Sequence, residues 1–169
     1  MNGDVKRPKP EKPAPGQESV WDYPRPPDLV RSRETVEVVV GGVVVASSTR
    51  TYRVLETSHP PTYYLPEEDF APGALVRIEG GSFCEWKGRA AYADLVGGEA
   101  RAEQAAWTYP DPTPGFVDLR GHWAVTPLAV EACFVDGERV QPQEGGFYGG
   151  WITSKVVGPF KGIPGSWGW

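Results

Sequence analysis

Short apolar runs broken by glycine pairs set the pattern of this chain. Val36-Glu37-Val38-Val39-Val40 and Val43-Val44-Val45-Ala46 flank Gly41-Gly42. A Gly-Gly pair supplies the positive φ angles of a tight turn, so Thr35 to Ser48 is predicted to be a β-hairpin. A second hairpin is predicted from Ala90 to Glu103 around Gly97-Gly98. A third runs from Glu131 to Val140 around Asp136-Gly137, the strongest turn signal of the three. In the third, Ala132 and Phe134 alternate with Cys133 and Val135, a period of two with no clearly polar face. Tyr52 to Leu55, Ala74 to Ile78 and Gly121 to Thr126 supply further strands. Pro66-Glu67-Glu68-Asp69-Phe70 reads as a single helical turn, its acidic residues suiting the N-terminal dipole. The prolines of Trp107 to Phe116 make that stretch a structured loop and not a helix. The fold class is therefore mainly β, a small antiparallel two-sheet or barrel-like domain built from hairpins, with little helix.

The two ends differ in kind. Residues 1–17 are rich in Lys, Pro and Glu, have almost nothing to bury, and are expected to be disordered. Residues 18–34 carry Trp21 and Tyr23, rings that are costly to leave in water. An extended arm docked on the domain is expected there. The alternative is a polyproline-like peptide that meets a partner, or an arm exchanged between protomers of a homodimer. Residues 35–169 form the single β domain, and glycines set around large rings from Gly145 to Trp169 predict a C-terminus folded back against it.

Composition narrows the function classes. The chain has 169 residues, enough for one domain with a core, and a net charge of -5 from 17 basic and 22 acidic residues. That balance argues against broad binding to nucleic acid or an anionic membrane. No apolar run is long enough to span a bilayer, and the charged, proline-rich N-terminus lacks a signal core, so a cytoplasmic protein is expected. Cys84 and Cys133 are too few for a disulfide framework or a four-thiolate zinc site. No metal or cofactor is expected. The 21 Gly and 18 Pro fall largely beside tryptophan and apolar strands, which reads as turns and rigid loops.

The densest chemistry lies in Glu56-Thr57-Ser58-His59-Pro60-Pro61-Thr62-Tyr63-Tyr64-Leu65-Pro66, read as one loop whose prolines hold Ser58-His59 extended. His59 is a candidate general base or a donor to an anion; the bland reading is a loop histidine bonded to backbone. Glu56 is a candidate acid or a salt-bridge partner. Cys84 is a candidate nucleophile if a cation stabilises its thiolate, and otherwise a buried apolar thiol. Lys87 and Lys161, each before a glycine in an aromatic run, suit a carboxylate or phosphate, or else lie on rings as cation–π contacts. Ser58, Tyr64, Trp86, Tyr148 and Trp151 complete the candidate ligand-binding set, with the remaining rings assigned to the core.

The runs Glu56-Thr57-Ser58-His59-Pro60-Pro61, Cys84-Glu85-Trp86-Lys87-Gly88, Ala106-Trp107-Thr108-Tyr109-Pro110, Asp136-Gly137-Glu138, Phe147-Tyr148-Gly149-Gly150-Trp151 and Val156-Val157-Gly158-Pro159-Phe160-Lys161-Gly162 resemble an uncharacterised bacterial and fungal family, domain of unknown function 427. The resemblance spans about Val20 to Trp169. It implies a β-tent, two antiparallel sheets meeting at an angle. Relatives in the broader fold carry a zinc knuckle of four cysteines, which two cysteines do not imply. The family is sometimes labelled nucleotidyltransferase-like, but no glycine-rich phosphate loop followed by paired metal-binding aspartates accompanies that label here. The expected function is binding of a small planar or anionic ligand in an aromatic-lined polar pocket. An enzyme using His59 and Glu56 as acid and base, or Cys84 as a thiol, is one alternative; a protein-interaction module is the other.

Overall fold

The computed structural model describes residues 7–169, and those residues are mainly β, with antiparallel sheets and no closed barrel. In chain order the strands are β1 (Glu18–Ser19), β2 (Asp28–Ser32), β3 (Val36–Val40), β4 (Val43–Ser48), β5 (Thr51–Leu55), β6 (Thr62–Pro66), β7 (Leu75–Cys84) and β8 (Gly88–Gly97). They continue as β9 (Ala100–Thr108), β10 (His122–Val125), β11 (Ala132–Val135), β12 (Glu138–Arg139), β13 (Gln141–Pro142), β14 (Trp151–Ile152) and β15 (Val156–Val157). One sheet has seven strands in the order β2-β5-β6-β10-β9-β8-β7, and a second has four in the order β12-β11-β3-β4. Short pairings of β1 with β15 and of β13 with β14 tie the ends in. Among the described residues no helix is long and apolar enough to cross a membrane.

The three expected hairpins form, and turn chemistry explains each. Gly41 and Gly42 (φ 60° and 73°) turn β3 into β4, and Asp136 and Gly137 (φ 49° and 81°) turn β11 into β12. The β8–β9 turn falls one residue later than expected, at Gly98-Glu99, while Gly97 stays in the strand. Gly97 is small for another reason: a Cβ there would meet the Val40 carbonyl and a Val45 methyl, so it lets one hairpin lie against the tip of another. The strand expected at Ala74 to Ile78 runs on to Cys84, through an irregularity at Gly80 (φ 106°). Thr62–Pro66, read as loop, is strand β6 at the middle of the large sheet. Residues 114–119, inside and beyond the stretch expected to be loop, make short 3-10 turns, as do 67–69.

Alternation along the central strands divides the interior in two. Leu65, Trp123, Val125, Ala93 and Leu95 of the large sheet pack with Val36, Val38, Cys133 and Val135 of the small one. The other face of the large sheet carries Tyr64, Ala124, Val54 and Ala90, packed with Tyr109, Phe116 and Leu119. A third cluster holds the N-terminal segment in place: Val20 is fully buried and Tyr23 nearly so, beside Leu55 and Val156. The Trp21 indole donates to the Pro159 carbonyl at 2.9 Å and meets Trp169 edge-on at 5.5 Å. Of the segment expected to be disordered, residues 1–6 lie outside the described residues. The rest runs along the surface, where the Glu11 N–H donates to the Gly158 carbonyl and Gln17 Nε2 to the Ser154 carbonyl.

Candidate functional site

Cross-strand register builds a hollow on the outer face of the large sheet. Tyr64 of β6 lies opposite Ala124 of β10, Ala124 opposite Trp107 of β9, and Trp107 opposite Tyr92 of β8. One row of side chains thus reads ring, methyl, ring, ring, and the small Ala124 leaves room between its large neighbours. The resulting cavity has a volume of about 780 Å³ and is lined by Glu56, His59, Tyr64, Cys84, Trp86, Lys87, Tyr148 and Lys161 among others. Those eight are sequence candidates drawn from three distant segments, brought together by the sheet.

Two candidates do not line it. Ser58 is fully buried, and its N–H donates to the Val20 carbonyl while its hydroxyl accepts from Arg25 at 3.4 Å. It is not extended as expected: its φ is 72°, and Glu56 to His59 form a tight turn closed by the His59 N–H on the Glu56 carbonyl at 3.0 Å. The proline rule restricts His59 alone and leaves Ser58 free to turn. Trp151 is also fully buried. Its indole N–H donates to the Val125 carbonyl at 2.8 Å and its ring tilts over Tyr63, so it is core and not wall. Trp107 and Tyr109, assigned to the core from sequence, pack in the cluster over the large sheet and also line the cavity. His122 lies outside it, edge-on to Tyr52 at 5.1 Å.

The turn at Glu56–His59 puts both side chains on one side, with His59 Nε2 3.5 Å from Glu56 Oε2. Arg25 Nε approaches the same carboxylate oxygen at 3.6 Å. Gln143, which sequence reasoning missed, sets the state of the imidazole. Its Nε2 donates to the Lys161 carbonyl at 2.7 Å, and its Oε1 accepts from the Gly150 N–H at 3.2 Å. Those two backbone partners fix which end of the amide is which. Its second N–H therefore points to His59 Nδ1 at 3.2 Å, which must accept, so the ring proton sits on Nε2 facing Glu56. Burial, aided by the nearby charges of Lys161, Arg25 and Lys87, lowers the His59 pKa to about 3. His59 is a neutral imidazole at physiological pH.

The glycines of Phe147-Tyr148-Gly149-Gly150 follow from close approach. A Cβ on Gly149 would overlap the Trp107 ring, and one on Gly150 would meet Gln143 Oε1 and Pro60. Tyr148 then sits edge-on to His59 at 4.9 Å and beneath Lys161 Nζ at 5.7 Å. Across the cavity, Lys87 Nζ lies 5.8 Å from the Tyr109 ring centroid and 5.9 Å from that of Phe116. Among the described residues neither lysine has an aspartate or glutamate carboxylate within 4.0 Å, and Lys161 Nζ donates to the Trp169 main-chain oxygen at 3.4 Å. Burial and the charge of Arg25 hold the Lys161 pKa below the usual lysine range.

A family model described as a domain of unknown function (DUF427), labelled NTP_transf_9, matches residues 28–136. The chain belongs to that family, as the motif runs implied. No curated protein matches it. The matched span carries Glu56, His59, Cys84, Trp86 and Lys87, while Gln143, Tyr148 and Lys161 lie beyond it.

Proposed function

We propose that this domain binds a small planar anion in the cavity over the large sheet. The observation that carries the reading is the pair Lys87 and Lys161: two cations resting on aromatic rings, lining one hollow, with no aspartate or glutamate carboxylate of the described residues within 4.0 Å. Glu56 is shared with Arg25 and faces His59, and its charge offsets that of Lys161 less than Arg25 opposes it. The rings of Tyr64, Trp86, Trp107 and Tyr148 offer faces and edges to a flat body, and the cavity volume falls in the range of small-molecule sites.

The same geometry weighs against acid–base chemistry at His59. Its Nδ1 is capped by Gln143, its Nε2 carries the proton, and its pKa is far below neutrality. A general base works best with a pKa near the operating pH. Cys84 lines the cavity but packs with the aromatic cluster of Tyr64 and Tyr109.

Thermal unfolding tests the reading. Benzoate, phthalate and AMP, the last a member of the nucleotide class suggested by the family label, are compared with neutral benzamide. At an anion concentration of 100 Kd the stabilisation is about 2.7 kcal/mol, several degrees in Tm for a domain of this size. Replacing both lysines (Lys87→Met with Lys161→Met) is expected to abolish the shift. Absence of any anion-dependent shift in the wild-type protein, or an equal shift in the double variant, refutes it.

A further inference from the structure

The most exposed aromatic side chains of the described residues are not spread over the surface. Phe147 is 79% exposed, Phe83 76% and Trp167 68%. Phe83, at the end of β7, and Phe147, in the loop before β14, both line the cavity. Trp167 lies 6.4 Å from Tyr148, and Phe147 meets the same Tyr148 edge-on at 5.1 Å. Of the other rings lining the site, Tyr64 and Tyr109 are buried and Trp86, Tyr92, Trp107 and Tyr148 are half-buried. Exposing a phenyl ring forgoes the stabilisation that burying it would bring, so exposed rings grouped at one opening mark a surface meant to be covered.

We infer that the ligand of this cavity is an amphiphilic anion whose apolar body extends out between Phe83 and Phe147 while its charged head lies inward toward Lys87 and Lys161. The inference rests on the anion reading above and adds the direction and length of the ligand. Charge complementarity selects the occupant: a neutral apolar partner covers the rim but leaves both lysines without an aspartate or glutamate in contact, and a small inorganic anion satisfies the lysines but leaves the rim bare. A single molecule with a sulfonate, carboxylate or phosphate at one end and an extended ring system at the other meets both. Among the lining residues Tyr64 and Gln143 are buried while Phe83 and Phe147 are exposed, so the apolar body has its free path beside the two phenyl rings.

Probes of constant charge and increasing apolar size separate the two parts. Methanesulfonate, benzenesulfonate and naphthalene-2-sulfonate are titrated while tryptophan fluorescence is followed, because Trp86 and Trp107 line the cavity and report its occupancy. In the wild-type protein, affinity rises through the series, roughly tenfold or more from the first to the last, as expected for added buried apolar area. The Phe83→Ser, Phe147→Ser double variant flattens that rise to within about threefold yet keeps methanesulfonate binding. Both positions are exposed, so the variant is expected to unfold at nearly the wild-type temperature. Lysine-dependent binding that is equal for all three sulfonates, or a rise unchanged in the double variant, overturns the inference and leaves the anion site standing. Binding of 2-naphthalenemethanol as tight as that of the naphthalenesulfonate overturns the placement of the charged head. Binding of none of the sulfonates overturns both readings.

Discussion

His59 shows how one side chain can be set by partners far away in sequence. Gln143 fixes its tautomer and burial fixes its charge. The folded-state pKa is about 3 against an ordinary value of 6.5. Between those pH values the unfolded chain takes up a proton that the native chain refuses. Stability therefore rises with pH across this window and is lost as pH falls from 6.5 toward 3, by up to about 1.4 kcal/mol per pH unit. Carboxylates held below their usual range by arginine or lysine partners, such as Glu18 and Asp136, add acid sensitivity of the same sign. The His59 part is isolated by comparing urea midpoints at pH 7 and pH 5 in the wild type and in a His59→Asn variant. The wild type is expected to lose more stability on acidification than the variant. In parallel, the His59 ring resonances should hold their neutral positions from pH 8 to about 4. Titration of that ring near 6.5 would show that burial does not keep it neutral.

At the scale of elements, the glycines of the hairpins do two different jobs. Gly42 has φ 73° with open space around its missing Cβ, so it serves the turn alone. Gly97 has ordinary strand backbone, but its missing Cβ is filled by Val40 and Val45 of the other sheet. Gly42→Asn is thus expected to change stability by less than about 0.5 kcal/mol, since Asn tolerates the left-handed region. Gly97→Ala should cost roughly 1–3 kcal/mol through overpacking. Urea denaturation of the two variants checks the contrast, and equal costs would contradict it. The same distinction explains what was legible in the sequence. Hairpin turns announce themselves through Gly-Gly and Asp-Gly, so the mainly β class and the hairpins could be read directly. Strand β6 could not, because Thr62–Pro66 follows Pro60-Pro61 and closes on Pro66, and proline punctuation reads as loop. The Gly80-Gly81 pair likewise hid the second half of β7. Candidate residues in glycine- and ring-rich motifs were visible, since such composition signals close backbone approach. Gln143 was not, because nothing local marks a glutamine whose partners are Lys161, Gly150 and His59.

The whole molecule is closed by its N-terminal arm, and that closure reaches the cavity. Strand β1 pairs in parallel with β15, and Val20 is buried beneath it. The arm then grips the site loop from behind. Ser58 N–H donates to the Val20 carbonyl, Thr57 N–H to the Pro24 carbonyl, and the Thr57 hydroxyl to the Tyr23 carbonyl. Arg25 extends the grip to the Glu56 carboxylate and to the main-chain oxygens of Thr57 and Trp169. From the other side the Lys161 N–H donates to the Ser58 carbonyl. The turn carrying Glu56 and His59 is therefore held between the C-terminal segment and the arm, and the arm contributes no side chain to the cavity lining. Removing residues 1–24 deletes no cavity-lining residue, the first of which is Val54. It does remove three of those loop hydrogen bonds and the Val20 and Tyr23 packing. The truncated protein is expected to unfold at lower temperature, and its naphthalene-2-sulfonate affinity should fall several-fold even well below that temperature. Restoring only the packing does not restore the grip: a full-length Thr57→Val variant keeps Val20 and Tyr23 buried but loses the hydroxyl donor. It should show a smaller affinity loss, with stability reduced by about 1 kcal/mol. Unchanged affinity in the truncated protein at a temperature where it remains folded would mean that the sheet alone positions the turn, and that the arm only covers it.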